Sequence, residues 1–313
     1  MSLGPPLPLR IWRPALVLLL LTIAAPAALT TGHASASPPP VVEPGFTPEC
    51  THLEDFEADD FPRRPNINNR YLPMKPGIKT VLEGTVDDVP HRVEFVVTDL
   101  VKKINGVRVR VIWDTDTSEE ELVESELSFF AQDDDGNVWN LGEYPEEYEE
   151  GEFVGAPSTW IAGQADAEAG IHMTRKPKVS NRQYIQGFAP EIDFFDCAKV
   201  VERMKKQTLC VAAGCFRDVL VTNETNLAVP EDGIQSKYHA PYIGIVQIGA
   251  VEPPTGEVLQ LVERVKLNKE ELKEAREAAL ELDARGYEFG AGYDATSPAK
   301  RLKSARDDDD DDD

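Results

Sequence analysis

Four histidines follow the first 36 residues, His52, His91, His172 and His239, and neutral imidazole is the commonest protein metal ligand. No two of them stand at the spacing of a helical or tight-loop ligand pair. The dipeptide His172-Met173 would suit copper, which accepts imidazole and thioether donors, but it supplies only two ligands. Their ordinary role, as surface or partly buried side chains, is the expected one. Serine hydrolysis has no visible apparatus, because no glycine-framed nucleophile elbow is present. A glycine-rich phosphate loop followed by lysine is also missing. Carboxylates are plentiful, with 56 acidic side chains against 32 basic. Paired carboxylates for glycoside cleavage are therefore available in number, without their separation being fixed.

The net charge of −24 excludes nucleic-acid binding by phosphate neutralisation. The acidic turn Asp133-Asp134-Asp135-Gly136-Asn137 invites comparison with a calcium loop. Aligning Gly136 with the loop's invariant glycine puts Ala131 and Gly142 where aspartate and glutamate are required, so the pattern fails. The run Glu143–Glu152 holds six glutamates and two tyrosines. It reads as a solvated loop, with a cation- or partner-binding rim as the functional alternative. The terminal run Asp307–Asp313 reads as a disordered polyanion. Asp307, Asp308, Asp309 and Asp310 are its candidate metal ligands, with weakly held Ca²⁺ as the one ion suggested and no other cofactor expected. The Asn223-Glu224-Thr225 sequon reads as a chance match.

Cys50, Cys197, Cys210 and Cys215 form an even set in a chain with export features, so disulfides are expected. Cys210 and Cys215 enclose four residues including a glycine, a spacing that lets a hairpin place them opposite one another. By elimination Cys50 pairs with Cys197.

The elements that position these groups are mainly β. Val93, Phe95 and Val97 alternate up to Asn105-Gly106, beyond which Val107, Val109, Val111 and Trp113 alternate again; this is a hairpin signature. A second hairpin joins 127–131 to 138–141 across the Asp-Gly turn. Further strands are expected at 79–86, 153–161, 198–209, 216–222, 242–248 and 258–267. One helix, 269–285, is marked by Asn268 as N-cap, Glu271 three residues on, a Leu267–Leu272 staple and Gly286 as the stop. The expected architecture is a curved antiparallel sheet or partly open barrel with one C-terminal helix. Trp113, Trp139, Trp160, Tyr238 and Tyr242 are the candidate ligand-binding aromatics, lining an apolar concavity in the sheet.

Arg10 and Arg13 precede an apolar run over 15–29, and Ala34-Ser35-Ala36 offers a cleavage site, so 1–36 reads as a secretory signal. That run is short of a membrane-spanning helix, so no transmembrane anchor is expected after cleavage. Residues 37–49 form a proline-rich linker, 50–286 a single β-rich domain, and 287–313 a disordered tail. The expected location is secreted or periplasmic.

The stretches Asn69-Arg-Tyr-Leu-Pro-Met-Lys-Pro-Gly77, Phe130-Ala-Gln-Asp-Asp-Asp-Gly-Asn-Val-Trp139 and Lys237-Tyr-His-Ala-Pro-Tyr-Ile-Gly244, with Trp160-Ile-Ala-Gly163 and Ala169-Gly-Ile171 between them, resemble a family of uncharacterised exported bacterial proteins over about residues 66–265. The family's last motif has tyrosine where His239 stands and glycine where Tyr242 stands, so both are departures. At the level of architecture the chain also resembles sheet-plus-helix lipid carriers of the periplasm.

Three functions follow as expectations. The first is a secreted binding protein for an apolar small molecule or a protein partner, of undetermined oligomeric state. A carboxylate-dependent hydrolase is the second, and it would place two carboxylates face to face. The third is a calcium-dependent structural or adhesive protein, which would gain thermal stability in millimolar Ca²⁺.

Overall fold

The structure, a computed structural model, describes residues 50, 53–252 and 256–302. The signal segment, the linker, His52 and the terminal aspartate run lie outside the described residues.

Among the described residues fifteen strands form: β1 (Ile78–Val86), β2 (Val89–Ile104), β3 (Val107–Ser118), β4 (Glu121–Gln132), β5 (Val138–Glu149), β6 (Glu152–Gly155), β7 (Trp160–Ile161), β8 (Glu168–Met173), β9 (Tyr184–Ala189), β10 (Phe194–Val211), β11 (Gly214–Asn226), β12 (Ile234–Ala240), β13 (Gly244–Glu252), β14 (Val258–Lys266) and β15 (Lys300–Arg301). Twelve of them make an antiparallel up-and-down barrel. Each pairs with its neighbour in the chain, β5 passing to β8 across the short β6 and β7, and β1 closes the ring by pairing with both β2 and β14. The ring is thus closed, so none of these twelve strands is an edge along its whole length, and the part of β2 beyond β1 is covered by β15. Asn105 and Gly106 turn the β2–β3 hairpin with φ of 44° and 86°, the left-handed pair that matches the strands' twist.

Helix α1 (Lys269–Phe289) lies outside the barrel against β2 and β4. Its capping box is formed: Asn268 accepts from the Glu270 and Glu271 N–H groups at 2.8 and 3.1 Å, and Glu271 accepts from the Asn268 N–H at 2.7 Å. Ala279 and Leu282 bury against Leu100, Val111, Leu127 and Phe129. The helix does not stop at Gly286. That residue is inside it because a Cβ there would stand 2.4 Å from the Tyr293 ring, so the glycine permits close packing. Nor does the chain loosen from residue 287: Tyr293 is fully buried, and Lys300–Arg301 pair with β2 at Leu100 and Val101, beyond the reach of β1.

Both expected disulfides are present, Cys50–Cys197 and Cys210–Cys215. The first ties residue 50 to β10, 147 positions along the chain. The second joins directly paired residues at the tip of the β10–β11 hairpin. That tip curls onto β14, where the Ala213 N–H reaches the Leu261 carbonyl, and it covers an external apolar cluster containing Met204, Leu209, Val221 and Tyr238.

No helix among the described residues is long and apolar enough to cross a membrane. The barrel's outer face on β1 and β2 carries Lys79, Glu83, Arg92 and Glu94, linked in ion pairs.

Candidate functional site

Strand alternation assigns every residue to the helix-covered outside or to the interior. Phe129, Leu127, Tyr144 and Glu146 are outward, the last held by Arg285 of α1 at 2.5 Å. Their neighbours of opposite parity point inward, and on β3, β4 and β5 these are carboxylates. Asp114 faces Glu126 and Asp116 faces Glu124 across β3 and β4; Glu124 faces Glu147 and Ser128 faces Glu143 across β4 and β5. The run 143–149, expected as a solvated loop, is therefore strand: Glu146 is fully buried outward and Glu143 is directed inward, where Asn140 and Trp160 donate to it at 2.6 and 3.1 Å.

A second polar centre lies on β9, β11 and β12. Glu224 binds the Lys237 ammonium at 2.7 Å and accepts from Thr222 and Gln186 at 3.0 and 3.3 Å. The His239 Nε2 lies 3.2 Å from the Thr222 hydroxyl. Burial opposes the charge on Glu224, yet Lys237 holds its pKa down to about 2. Burial lowers His172 and His239 to about 4, so both are neutral at pH 7. The Tyr184 hydroxyl and the Gln186 Oε1 are buried and without hydrogen-bond partners, although the two residues are only 5% and 2% exposed. Such orphaned groups each cost about 1–3 kcal/mol. Asn223, the sequon asparagine, is 1% exposed and accepts from Ser236, so its side chain is closed to glycosylation.

The two centres share one interior. Lys237 acts electrostatically on Glu143, Asp196 and Glu257 as well as on Glu224. Burial, reinforced by neighbouring carboxylates, raises Asp114, Glu124 and Glu126 well above the usual range. The same causes bring Asp196 and Glu257 to about 7.

One end of this interior is filled. Ile67, Tyr71 and Leu72 pack inside against Val97, Ile112, Phe130, Val138 and Leu220, and Arg110 donates to the Pro65 carbonyl at 3.0 Å. The motif around Asn69 builds this plug. The Asn69 amide donates to the Gly136 and Thr174 carbonyls, while its oxygen accepts from the Tyr71 and Leu72 N–H groups.

The five aromatics singled out from sequence do not converge. Trp113 is outward and donates to Ser125; Trp139 is wedged between Phe56 and Phe61 and donates to Asp133. Tyr238 lies in the external cluster beneath the curled hairpin. Tyr242 is 66% exposed beside Arg70. Trp160 alone reaches an inward carboxylate. Tyr242 also has φ 64°, a left-handed conformation that costs a bulky L-residue roughly 1–2 kcal/mol. We expect Tyr242→Gly to stabilise the fold by about 1 kcal/mol, measured by thermal denaturation; a lower melting temperature would contradict the strain.

The fold and its site define an exported, disulfide-stapled β-barrel with a charged interior. All four cysteines are bonded, which places the chain in an oxidising, extracytoplasmic compartment. No protein-family model and no curated protein matches the chain. Among solved structures it is similar to a proposed exported protein with a YmcC-like fold from Bacteroides fragilis, with TM-score 0.37 and 12% identity over 63% of this chain and 100% of that one. It is also similar to a proposed lipoprotein from Parabacteroides distasonis, with TM-score 0.36 and 12% identity over 63% of this chain and 99% of that one.

Proposed function

We propose that this protein is an exported binding protein that encloses a polar small molecule inside its barrel, seated against the Glu224 centre. The observation that carries the reading is the convergence of unpartnered, buried polar atoms, the Tyr184 hydroxyl and Gln186 Oε1, beside a charged Glu224–Lys237 pair. A bound polar molecule would satisfy those atoms. An apolar ligand, the sequence-based expectation, would instead leave them and the inward carboxylates dry and unpaired.

The test is native mass spectrometry of the protein secreted by its own host. A mature mass with a polar organic adduct, lost in a folded Tyr184→Phe, Gln186→Leu variant, supports the reading. A bare mass, together with no thermal shift across a panel of sugars, amino acids and amines, overturns it.

A carboxylate-dependent hydrolase is the second reading, favoured by the facing pairs Asp114–Glu126 and Asp116–Glu124. It requires turnover of a glycan substrate that Glu126→Gln abolishes at unchanged melting temperature. Calcium binding through the aspartate run is a separate proposal, tested by a thermal shift in millimolar Ca²⁺ that chelator reverses.

A further inference from the structure

The up-and-down topology sorts the hairpin turns onto two ends of the barrel. At the end away from the plug lie the turns 87–88, 119–120, 150–151, 190–193 and 227–233, with Gly256 and Glu257 at the entry to β14. Not one of these turns contains lysine or arginine, and acidic residues occupy every one of them. Six of these acids, Asp87, Asp88, Glu119, Glu120, Glu150 and Asp193, hold left-handed backbone positions where glycine or asparagine would be the easy choice. The plugged end is mixed in charge: its β4–β5 turn holds Asp133, Asp134 and Asp135, while its β8–β9 connection, 174–183, carries Arg175, Lys176, Lys178 and Arg182.

The acidic turns lead directly into the inward carboxylates. Asp116 and Glu124 stand nearest the turn at 119–120, and Asp114, Glu126 and Glu143 follow deeper in the barrel. Asp114 is 8% exposed, its Oδ1 has no partner, and its Oδ2 has only the Ser128 hydroxyl at 3.4 Å. Few cations pair with this wall, although Arg264, on the row Asp114–Phe95–Thr80–Arg264, enters the same interior with a buried, unpartnered Nε. His91 pairs with Asp116 at 3.3 Å, and Lys237 is committed to Glu224. Like charges directly opposed across strands repel, so the wall either holds its protons or ionises against an external cation.

We infer that the acidic end and the wall below it form a site for an organic polycation of the linear polyamine class. This names a ligand class for the acidic side of the same interior, opposite the Glu224 centre, and rests on the binding function proposed above only in that the barrel encloses a polar ligand. Carboxylates on alternate residues are ~7 Å apart along a strand and opposed pairs about 5 Å apart across it. That spread suits ammonium groups separated by three- or four-carbon spacers better than one ion needing all its oxygens within about 2.6 Å. Among the described residues no three His, Cys, Asp or Glu side chains are grouped to hold a metal ion. The flanking interior face of β1, β2, β13 and β14 supplies an apolar strip, Leu82, Val93, Ile248 and Leu259, against which methylene spacers can lie. The acidic turns concentrate cations at the end of the barrel and speed their capture.

The experiment is calorimetric titration of the mature, disulfide-bonded protein with spermidine at low salt. In parallel run Mg²⁺ at equal charge and a neutral oligosaccharide. We expect spermidine to bind with release of protons, seen as a heat that depends on the buffer's ionisation enthalpy, because raised carboxylates must ionise on pairing. Asp114→Asn with Glu126→Gln should weaken binding by about tenfold or more without lowering the melting temperature. Glu119→Gln with Glu120→Gln should slow association and leave dissociation unchanged. No spermidine heat, or equal competition by Mg²⁺, overturns the inference. If the oligosaccharide binds and spermidine does not, the cation class fails while the enclosed-ligand reading stands. Silence from every probe, with a bare mass from the host, ends both.

Discussion

Replacing Lys102 by alanine is expected to cost about 3–5 kcal/mol, the usual penalty for removing one partner of a buried ion pair. Lys102 projects from β2 to the outside of the barrel, where it is 1% exposed. Its ammonium donates to Asp283 at 2.7 Å and to the Tyr287 hydroxyl at 3.0 Å, and it lies 4.0 Å from the centre of the Tyr293 ring. Burial lowers its pKa to about 8 despite the opposing pull of Asp283. Asp283 in turn accepts from the Tyr293 hydroxyl and the Ala299 N–H at 2.8 and 2.9 Å. One lysine thus joins β2, α1 and the returning chain after the helix. Lys102→Ala empties the space beneath two tyrosines and leaves Asp283 charged among neutral donors. Lys102→Met keeps the volume and should lose less, while Lys102→Met with Asp283→Leu should recover part of that loss. Urea unfolding of these four proteins and of Asp283→Leu alone measures the coupling. A Lys102→Ala variant within 1 kcal/mol of the parent would show that the helix is held by its apolar face alone.

The sequence makes the barrel's parts visible more readily than its closure. Asn105-Gly106 and the flanking alternation specify the β2–β3 hairpin, because turn chemistry and side-chain period agree there. The helix start at Asn268 is equally legible, since its cap is local. Its end is not. Gly286 looks like a stop until the ring of Tyr293 is placed against it, and that contact depends on the chain returning over the helix. Strands β8 and β9 carry weak local signals: Gly170 interrupts the pattern because the β9 backbone approaches too closely for a Cβ, and Gly187 because the Phe194 and Trp160 rings do.

The interior site was hidden for a related reason. Sequence reasoning takes charge to mean solvent and aromatic rings to mean core or ligand. Here Asp114, Asp116, Glu124 and Glu126 continue the inward register of Ile112 and Ser128, while Trp113 between them turns outward. The signal was available as alternation: the residues two and four places after Ile112 must face the same way it does. Glu224 and Lys237 required the β11–β12 pairing as well, because they are 13 positions apart and on separate strands.

The second large effect is a stability that falls as pH rises from about 5 to 8. Asp196 and Glu257 titrate near 7 in the fold, raised first by burial and then by neighbouring carboxylates, whereas unfolded carboxyls titrate near 4. A carboxyl with a raised folded pKa contributes stability that is complete below about pH 4 and is lost as the pH climbs through the folded value. Asp114, Glu124 and Glu126 act in the same direction. So does His91: burial alone would lower its pKa, but the hydrogen bond and charge of Asp116 together with the charge of Glu257 raise it overall. His172 and His239 oppose them: held near 4 by burial, they stabilise above pH 6.5 and lose that contribution as the pH falls toward 4. Five carboxyls outweigh two imidazoles, so the balance favours mild acid. Each shifted unit is worth about 1.4 kcal/mol before the screening of an interior that retains some water, and a net loss on the order of 3 kcal/mol from pH 5 to pH 8 is expected. Glu224, lowered to about 2, sets the acid limit, since its contribution disappears as the pH drops below about 4. Thermal unfolding across pH 3–9 measures the profile, and a maximum above pH 7 would show that the inward carboxyls are solvated like surface groups. Spermidine gives the decisive variation. A cation that pairs with the ionised wall stabilises the fold most where the wall is charged, so it should raise the melting temperature at pH 8 far more than at pH 5 and flatten the decline.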